Sequence, residues 1–308
     1  MWKYILKRLL SLIPVIIGVT LLVYLIMYMA PGDPAKSILG EQAPPEAIEL
    51  LREQMGLNDH ILIQYGRYIL NVFQGDLGNS YKTKMPILVE IASRFPNTLK
   101  LTICASFIAI CFSIPLGIFA AIKQNTIFDG ISMLIALIGV SMPIFWLGLM
   151  LILFFSLQLG WVPSSGSDGW RSIILPAVSL GFTNMANIAR TTRSSMLEVI
   201  RQDYIRTARA KGISFNKVIQ KHAIRNALIP TITVIGLRMG FLLGGSVITE
   251  SVFAWPGIGR YMIQGIQGRD TPVVLGCIIV FTVCFSIINL LVDLAYAFVD
   301  PRIRAQYS

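Results

Sequence analysis

Residues 273–298 read VVLGCIIVFTVCFSIINLLVDLAYAF, an apolar run interrupted by one charge, Asp293. A helix needs about 20 mainly apolar residues to cross the hydrocarbon core of a bilayer. This run meets that length. Working back from it, five further runs qualify: 9–29, 99–122, 131–159, 173–188 and 228–249. The run 173–188 is the shortest and most polar. None shows the alternation of a membrane β-strand, which argues against a barrel. The whole chain of 308 residues is 55% hydrophobic and 14% charged, with a mean hydropathy of +0.68. Soluble domains are about 45–50% apolar and about 25% charged. The expectation is an all-α integral membrane protein with six transmembrane helices. Lys3, Lys7 and Arg8 precede the first run, which is too long for the 7–15-residue core of a signal peptide. It reads as a retained span.

Charge asymmetry sets the orientation. With the N-terminus inside, the inner segments carry fifteen basic residues and four acids, Asp129, Glu198, Asp203 and Asp300. The outer segments hold nine basic and eleven acidic residues. Both termini are therefore expected in the cytoplasm. The net charge of +10 is a topology signal, and no nucleic-acid partner is expected, because the basic residues flank spans. Trp2, Trp161, Trp170, Trp255 and Tyr261 fall near span ends, where amphipathic rings anchor at the interface. Cys104, Cys111, Cys277 and Cys284 all lie inside spans and read as small buried residues without disulfides or a metal role.

Three regions follow: an N-terminal span over 1–30, an extracytoplasmic helical segment over 31–98, and a core of five spans over 99–308. In the outer segment Ile48, Leu51 and Met55 recur at helical spacing after Pro44-Pro45, and Tyr65, Tyr68, Ile69, Val72 and Phe73 make a second amphipathic stretch. The segment serves either as a passive cap or as a docking or gating surface. The inner loop 190–227 holds nine basic and two acidic residues. Leu197, Ile200, Ile205 and Ala208 keep apolar positions among them, Gly212 breaks the pattern, and Ser214 can cap a following helix. Two helices around a turn are expected. They either transmit a push from a soluble partner or form a solvated positive-inside loop.

The order of residues in this loop is informative. DYIRTARAKG over 203–212 and KHAIRNALIP over 221–230 resemble the cytoplasmic coupling-loop signature of ABC importer permeases. More narrowly, they are similar to the first permease subunit of the dipeptide, oligopeptide, glutathione and nickel group. GDLG at 75–78, RFPNTL at 94–99, ESVF at 250–253, PGIG at 256–259, RDTP at 269–272 and DPR at 300–302 extend the resemblance over nearly the whole chain. Where the broad importer motif has Glu-Ala-Ala, this chain has Arg206, Thr207 and Ala208. The interval from Gly212 to Pro230 is longer than in sugar-type permeases. Both departures resemble the peptide group and argue against a sugar substrate.

The resemblance implies the type I ABC importer permease fold, in a bacterial or archaeal cytoplasmic membrane. It implies a second homologous permease, two cytoplasmic ATPases and an extracytoplasmic solute-binding protein as partners. The solute would be a di- or oligopeptide, with glutathione or a nickel chelate as alternatives. Tyr204, Arg206, Thr207, Ala208, Lys211 and Gly212 would make the ATPase contact. No Gly-x-x-x-x-Gly-Lys-Ser/Thr loop is present, so ATP and Mg belong to the partner subunits. No catalytic residue, cofactor or metal ligand is expected on this chain, whose surroundings are otherwise lipid.

The spans offer candidates for a path. Ser179, Thr183 and Asn187 recur every four residues and share a helix face, with Asn184 alongside. They either hydrogen-bond between helices or line a solute route. Gly236, Gly240 and Gly244 repeat at the same spacing, which suits close helix packing or a moving gate. Arg238 lies near the middle of its run. It either faces the route and favours an anionic group, or pairs structurally with Glu250 or Asp293. A stand-alone carrier or channel is the rival class. It would show broken helices or internal repeats and would leave the patterned basic loop without a task.

Overall fold

The computed structural model describes residues 2–299. The expectations for Asp300, Pro301, Arg302 and Arg304, and those for the side chains of Trp2, Lys3 and Lys7, lie outside what is described. Among the described residues there are helices and one isolated bridge, Asn79 to Pro86, and no strand. Five helices are long and apolar enough to cross a bilayer, or six if one bent pair counts as a single span. The chain divides into two compact units, Met1–Thr98 with Pro256–Ser286, and Leu99–Trp255 with the chain from Ile287 onward.

In the first unit, α1 (Trp2–Met29) is followed by α2 (Pro34–Leu39), α3 (Pro45–Gln54) and α4 (Ile61–Phe73). Each short helix has a local reason to start where it does. The Asp33 carboxylate accepts the Ala35 N–H at 2.9 Å, with Pro34 in the first turn. Pro45 opens α3, and His60 Nδ1 accepts the Leu62 N–H of α4. Helix α4 is held to α1. The Thr20 and Tyr65 hydroxyls lie 3.0 Å apart, and Tyr65 also donates to the Ile17 carbonyl at 2.7 Å. The chain turns after α4, where Gly75-Asp76-Leu77-Gly78-Asn79-Ser80 reads as a turn, with φ of +85° at Gly75 and +80° at Gly78. The long α5 (Ile87–Ile122) begins well before the apolar run at 99, so the outer segment and the span share one helix. With α12 (Ile258–Gln267) and the start of α13 (Thr271–Val299), its first turns form a core of Leu77, Ile87, Ile91, Ile258, Tyr261, Val273 and Cys277.

In the second unit the run 131–159 is not one straight span. It forms α6 (Ile127–Ser141) and α7 (Ile144–Leu151), continued as a π-helix over Ile152–Gln158, and the two parts meet at 103°. The cause is Pro143. A residue preceding proline is pushed out of the helical region, and Met142 has φ −82° and ψ 126°.

Helix α8 (Ile174–Ile200) is the centre of this unit. It is the least apolar of the five span helices, yet 61% of its most apolar stretch is buried, against 6–33% in the others. Small residues bring the neighbours in. A Cβ at Gly117 of α5 would lie 2.6 Å from the Ala189 carbonyl oxygen, and one at Gly139 of α6 would lie 2.9 Å from that of Phe182. On α8 itself, a Cβ at Gly181 would lie 2.7 Å from the Ala105 carbonyl oxygen. Against α11 (Ile224–Val252), the Thr192 and Thr231 hydroxyls meet at 3.3 Å. Trp161 and Trp170 are exposed, but Trp255 and Tyr261 are buried. Those two belong to the cores.

Candidate functional site

Helix α9 (Asp203–Ala210) is amphipathic in the plain sense that two residues point inward and the rest outward. Ile205 and Ala208, three apart and on one face, are buried at 1% and 8% exposure. They join Ala121 of α5, Met196 of α8, Val218 of α10 (Phe215–Val218), Ile219, Ala223, and Ala227 of α11 in a single apolar cluster. The segment is thus packed on its own core rather than a solvated loop.

The outward face carries Asp203, Tyr204, Arg206, Thr207, Arg209 and Lys211, all exposed. The Tyr204 hydroxyl accepts the Asn226 side-chain N–H at 2.9 Å, tying α9 to α11. Arg206 lies 3.7 Å from Asp203 at the helix surface, and the Thr207 hydroxyl donates to the Asp203 carbonyl. The guanidinium of Arg209 sits 5.0 Å from the centre of the Phe215 ring.

The helix ends in a Schellman motif. Gly212 N–H donates to Arg209 O at 2.9 Å and Ile213 N–H to Ala208 O at 3.4 Å. This closure requires a left-handed residue, and Gly212 has φ +78° with open space where a Cβ would stand. Ser214 precedes α10 but its hydroxyl makes no capping bond. A π-helical turn over Ile219–Ala223 then leads into α11.

The six coupling candidates therefore divide. Tyr204, Arg206, Thr207, Lys211 and Gly212 are presented to solvent, whereas Ala208 faces the cluster beneath α9.

The path candidates divide as well. Ser179 is fully buried and its hydroxyl donates to Pro176 O at 2.9 Å. Thr183 donates to Leu180 O, and so does the Asn184 amide. Asn187 instead lines a hollow of about 670 Å³ together with Arg190, Thr191, Arg193 and Ser194. The stripe is thus satisfied within its own helix at one end and open to solvent at the other. Arg193 was counted in the sequence only as one charge among many. It donates to Asp129 through Nε at 2.7 Å and through Nη2 at 2.6 Å, a bidentate pair between α8 and α6. No spacing rule links residues so far apart in the chain.

In α11, a Cβ on Gly236 would come within 2.4 Å of the Val292 side chain, so Gly236 serves close packing. Gly240 is buried, and Gly244 has nothing within 4 Å of a Cβ. Arg238 is half-buried and lies 5.7 Å from the centre of the Phe241 ring. Glu250 lies twelve residues further along the same helix, about 18 Å by helical rise.

Bilayer-length helices, with an amphipathic helix packed on the ends of α5, α8 and α11 and its polar face outward, are the architecture of a membrane-embedded protein. The sequence comparisons specify which. Residues 113–305 match the family described as "Binding-protein-dependent transport system inner membrane component", and residues 1–102 match its N-terminal counterpart. The chain belongs to this family and is an ABC importer permease. It is 48% identical over 332 residues to the "Dipeptide transport system permease protein DppB" of Alkalihalophilus pseudofirmus, covering 99% of this chain and 100% of that one. It is also 48% identical over 304 residues to the "Glutathione transport system permease protein GsiC" of Escherichia coli O6:H1, covering 99% of each. Among solved structures, an inward-facing form of the MetNI methionine ABC transporter matches 70% of this chain and 98% of its own, with 20% identity and a TM-score of 0.60. That likeness bears on the fold alone.

Proposed function

We propose that this chain forms half of the translocation path of a di- or oligopeptide importer, paired with a second homologous permease. Two cytoplasmic ATPases drive the pair, and an extracytoplasmic binding protein delivers the solute. ATP and Mg act on the ATPases, and no covalent chemistry occurs on this chain. Both termini and α9 face the cytoplasm, and the helices α2–α4 face outward.

The observation that carries this reading is the construction of α9. Its polar face is free for a partner, while Ile205 and Ala208 share a core with α5, α8, α10 and α11. The Tyr204–Asn226 bond adds a second tie to α11. A displacement of α9 therefore moves the ends of three span helices, where a flexible loop would absorb it. Nucleotide or solute can shift the two access states only through different affinity for each. Closure of the ATPase pair does this if α9 fits its groove better in one state.

Tyr204, Arg206, Thr207 and Lys211 supply the contact, with Gly212 setting the turn. Asn187 lines the route, and Arg238 favours an anionic group on the solute. The outward Gly244 suits packing against the second permease. The extents 31–98 and 190–227 are the working outer and coupling segments. The similarity to DppB supports peptides as cargo, and the similarity to GsiC supports glutathione, itself a tripeptide, as the alternative.

The test is purification of the tagged chain in mild detergent with mass identification of its companions, followed by peptide uptake in proteoliposomes. Recovery of a second permease and ATPases, with ATP-dependent uptake of dipeptides, is expected. Recovery of the chain alone after crosslinking overturns the reading in favour of a carrier.

A further inference from the structure

Helix α4 divides into three sectors when its residues are set at about 100° each around the axis. Tyr65, Tyr68 and Val72 share one face, and that face is packed: Tyr65 is buried, and Tyr68 and Val72 lie against the core around Leu77 and Cys277. Gln64, Arg67 and Asn71 form a narrow polar strip beside it. The remaining arc of about 120° holds Leu62, Ile63, Gly66, Ile69, Leu70 and Phe73. Of these, Leu62, Ile63, Leu70 and Phe73 are 56–64% exposed. So many large apolar side chains exposed together on one short helix mark a face that meets something other than water.

The place of α4 along α1 tells what that is. The Tyr65 hydroxyl donates to the Ile17 carbonyl at 2.7 Å and meets the Thr20 hydroxyl at 3.0 Å. The Tyr24 hydroxyl donates to the Gln64 side-chain oxygen at 2.8 Å. Ile17, Thr20 and Tyr24 all lie within Leu10–Met29, the stretch of α1 long and apolar enough to cross a bilayer. By helical rise they stand about 8–18 Å back from its end at Met29, inside a hydrocarbon core about 30 Å thick. Only 6% of the most apolar part of this stretch is buried, and among the described residues of α1 Thr20 alone is. A hydroxyl facing hydrocarbon without a partner is costly, and Tyr65 removes that cost. Helix α4 thus continues the exposed surface of α1 at a depth that no soluble protein reaches.

The charges agree. Helix α3 carries Glu46, Glu49, Arg52 and Glu53 in ten residues, the composition of a helix in water. Helix α4 carries Arg67 alone in thirteen, paired with Asp59 at 2.7 Å. The Gln64 amide donates to the Leu57 and Asp59 carbonyls at 3.0 and 2.7 Å. The polar strip is therefore satisfied from the α3–α4 connection. A helix with one polar strip and a broad apolar face lies in the membrane plane at the boundary of headgroups and acyl chains, and a long arginine stem lets its charge stay at the headgroups.

We infer that α4 is embedded in the outer leaflet, with Leu62, Ile63, Leu70 and Phe73 on lipid acyl chains and Arg67 at the headgroup level. The outer segment is thereby anchored in lipid, with α3 in the water above. This rests on the orientation proposed above, which puts α2–α4 on the outer side.

The test uses the complete complex in lipid nanodiscs without binding protein, and no variant. One sample contains phosphatidylcholine with a diazirine on its acyl chain; the other is oxidised by hydroxyl radicals, and both are mapped by mass spectrometry. Leu50 of α3, 58% exposed, is the internal standard for water. Lipid adducts are expected on residues 62–73, with oxidation of Leu62, Leu70 and Phe73 roughly ten-fold below that of Leu50, since the hydrocarbon core holds no water. Equal oxidation of the two helices overturns the inference by placing the face in water. Protection without lipid adducts overturns it in favour of a second permease as the cover. Orientation is scored separately, with an impermeant amine reagent outside right-side-out vesicles, which should label Lys36 and spare Lys211. The reverse pattern overturns the orientation and leaves the lipid contact standing.

Discussion

Gly212 is the position where a small change tests the coupling segment most directly. At φ +78° it occupies the left-handed region, yet a Cβ there would meet nothing within 4 Å. Any effect of a side chain within this chain is therefore conformational. A non-glycine residue in the left-handed region costs roughly 1–2 kcal/mol. Replacing glycine also narrows the unfolded ensemble, which returns about 0.4–1 kcal/mol. The net for Gly212→Ala is on the order of 1 kcal/mol against the Schellman closure, or about a five-fold rise in the frayed population. Asparagine tolerates this region better than other side chains, so Gly212→Asn should fall near the wild type although it is the larger residue. Hydrogen exchange of the amides of α9 and of Ile213 measures the fraying, and the ratio of peptide imported to ATP hydrolysed measures coupling. Protection should fall in the order Gly, Asn, Ala, Val, with coupling following it. An effect that instead scales with side-chain volume, with Asn worse than Ala, would refute the backbone argument and point to a partner surface pressed against this turn.

Other positions give independent tests. Ile205→Ala removes a fully buried anchor and should cost about 2–4 kcal/mol, read as a lower melting temperature of the purified complex together with weakened ATPase coupling. Gly236→Ala should destabilise by about 1–3 kcal/mol through its collision with Val292; pairing it with Val292→Ala should recover much of the loss in a double-mutant cycle. Arg193→Lys keeps the charge but loses the two-pronged contact to Asp129. A loss of about 1–3 kcal/mol is expected, and a melting curve matching the wild type would mean the pair contributes nothing. Arg238→Gln should weaken uptake of acidic peptides relative to basic ones, and an unchanged preference would remove Arg238 from selectivity.

Much of the architecture was legible from local properties. The helical outer segment, the turn at Gly75 and Gly78 and the paired helices around Gly212 all follow from spacing and turn chemistry. The break within 131–159 was legible in principle, since Pro143 stands in its middle, but hydropathy summed over a window does not register a missing N–H. The burial of Trp255 was not legible. Aromatic rings near span ends satisfy both an interface and a core, and only the neighbours decide between them. Within α9 the sequence marked Ile205 and Ala208 as apolar positions, but which residues of α5, α8, α10 and α11 they pack against is set only by the tertiary structure.

Hydrophobic length determined by itself that this is a helical membrane protein, and the order of motifs along the chain carried its resemblance to importer permeases, because both are read from neighbouring residues and need no knowledge of the fold. The tertiary structure alone decided which members of each stripe are spent on packing and which remain available. Ser179 is sealed while Asn187 opens on a hollow, Gly236 is pressed against Val292 while Gly244 is free, and Asp129 finds Arg193 from another helix. These outcomes depend on contacts between residues far apart in sequence, where close packing leaves room for one arrangement and periodicity is silent.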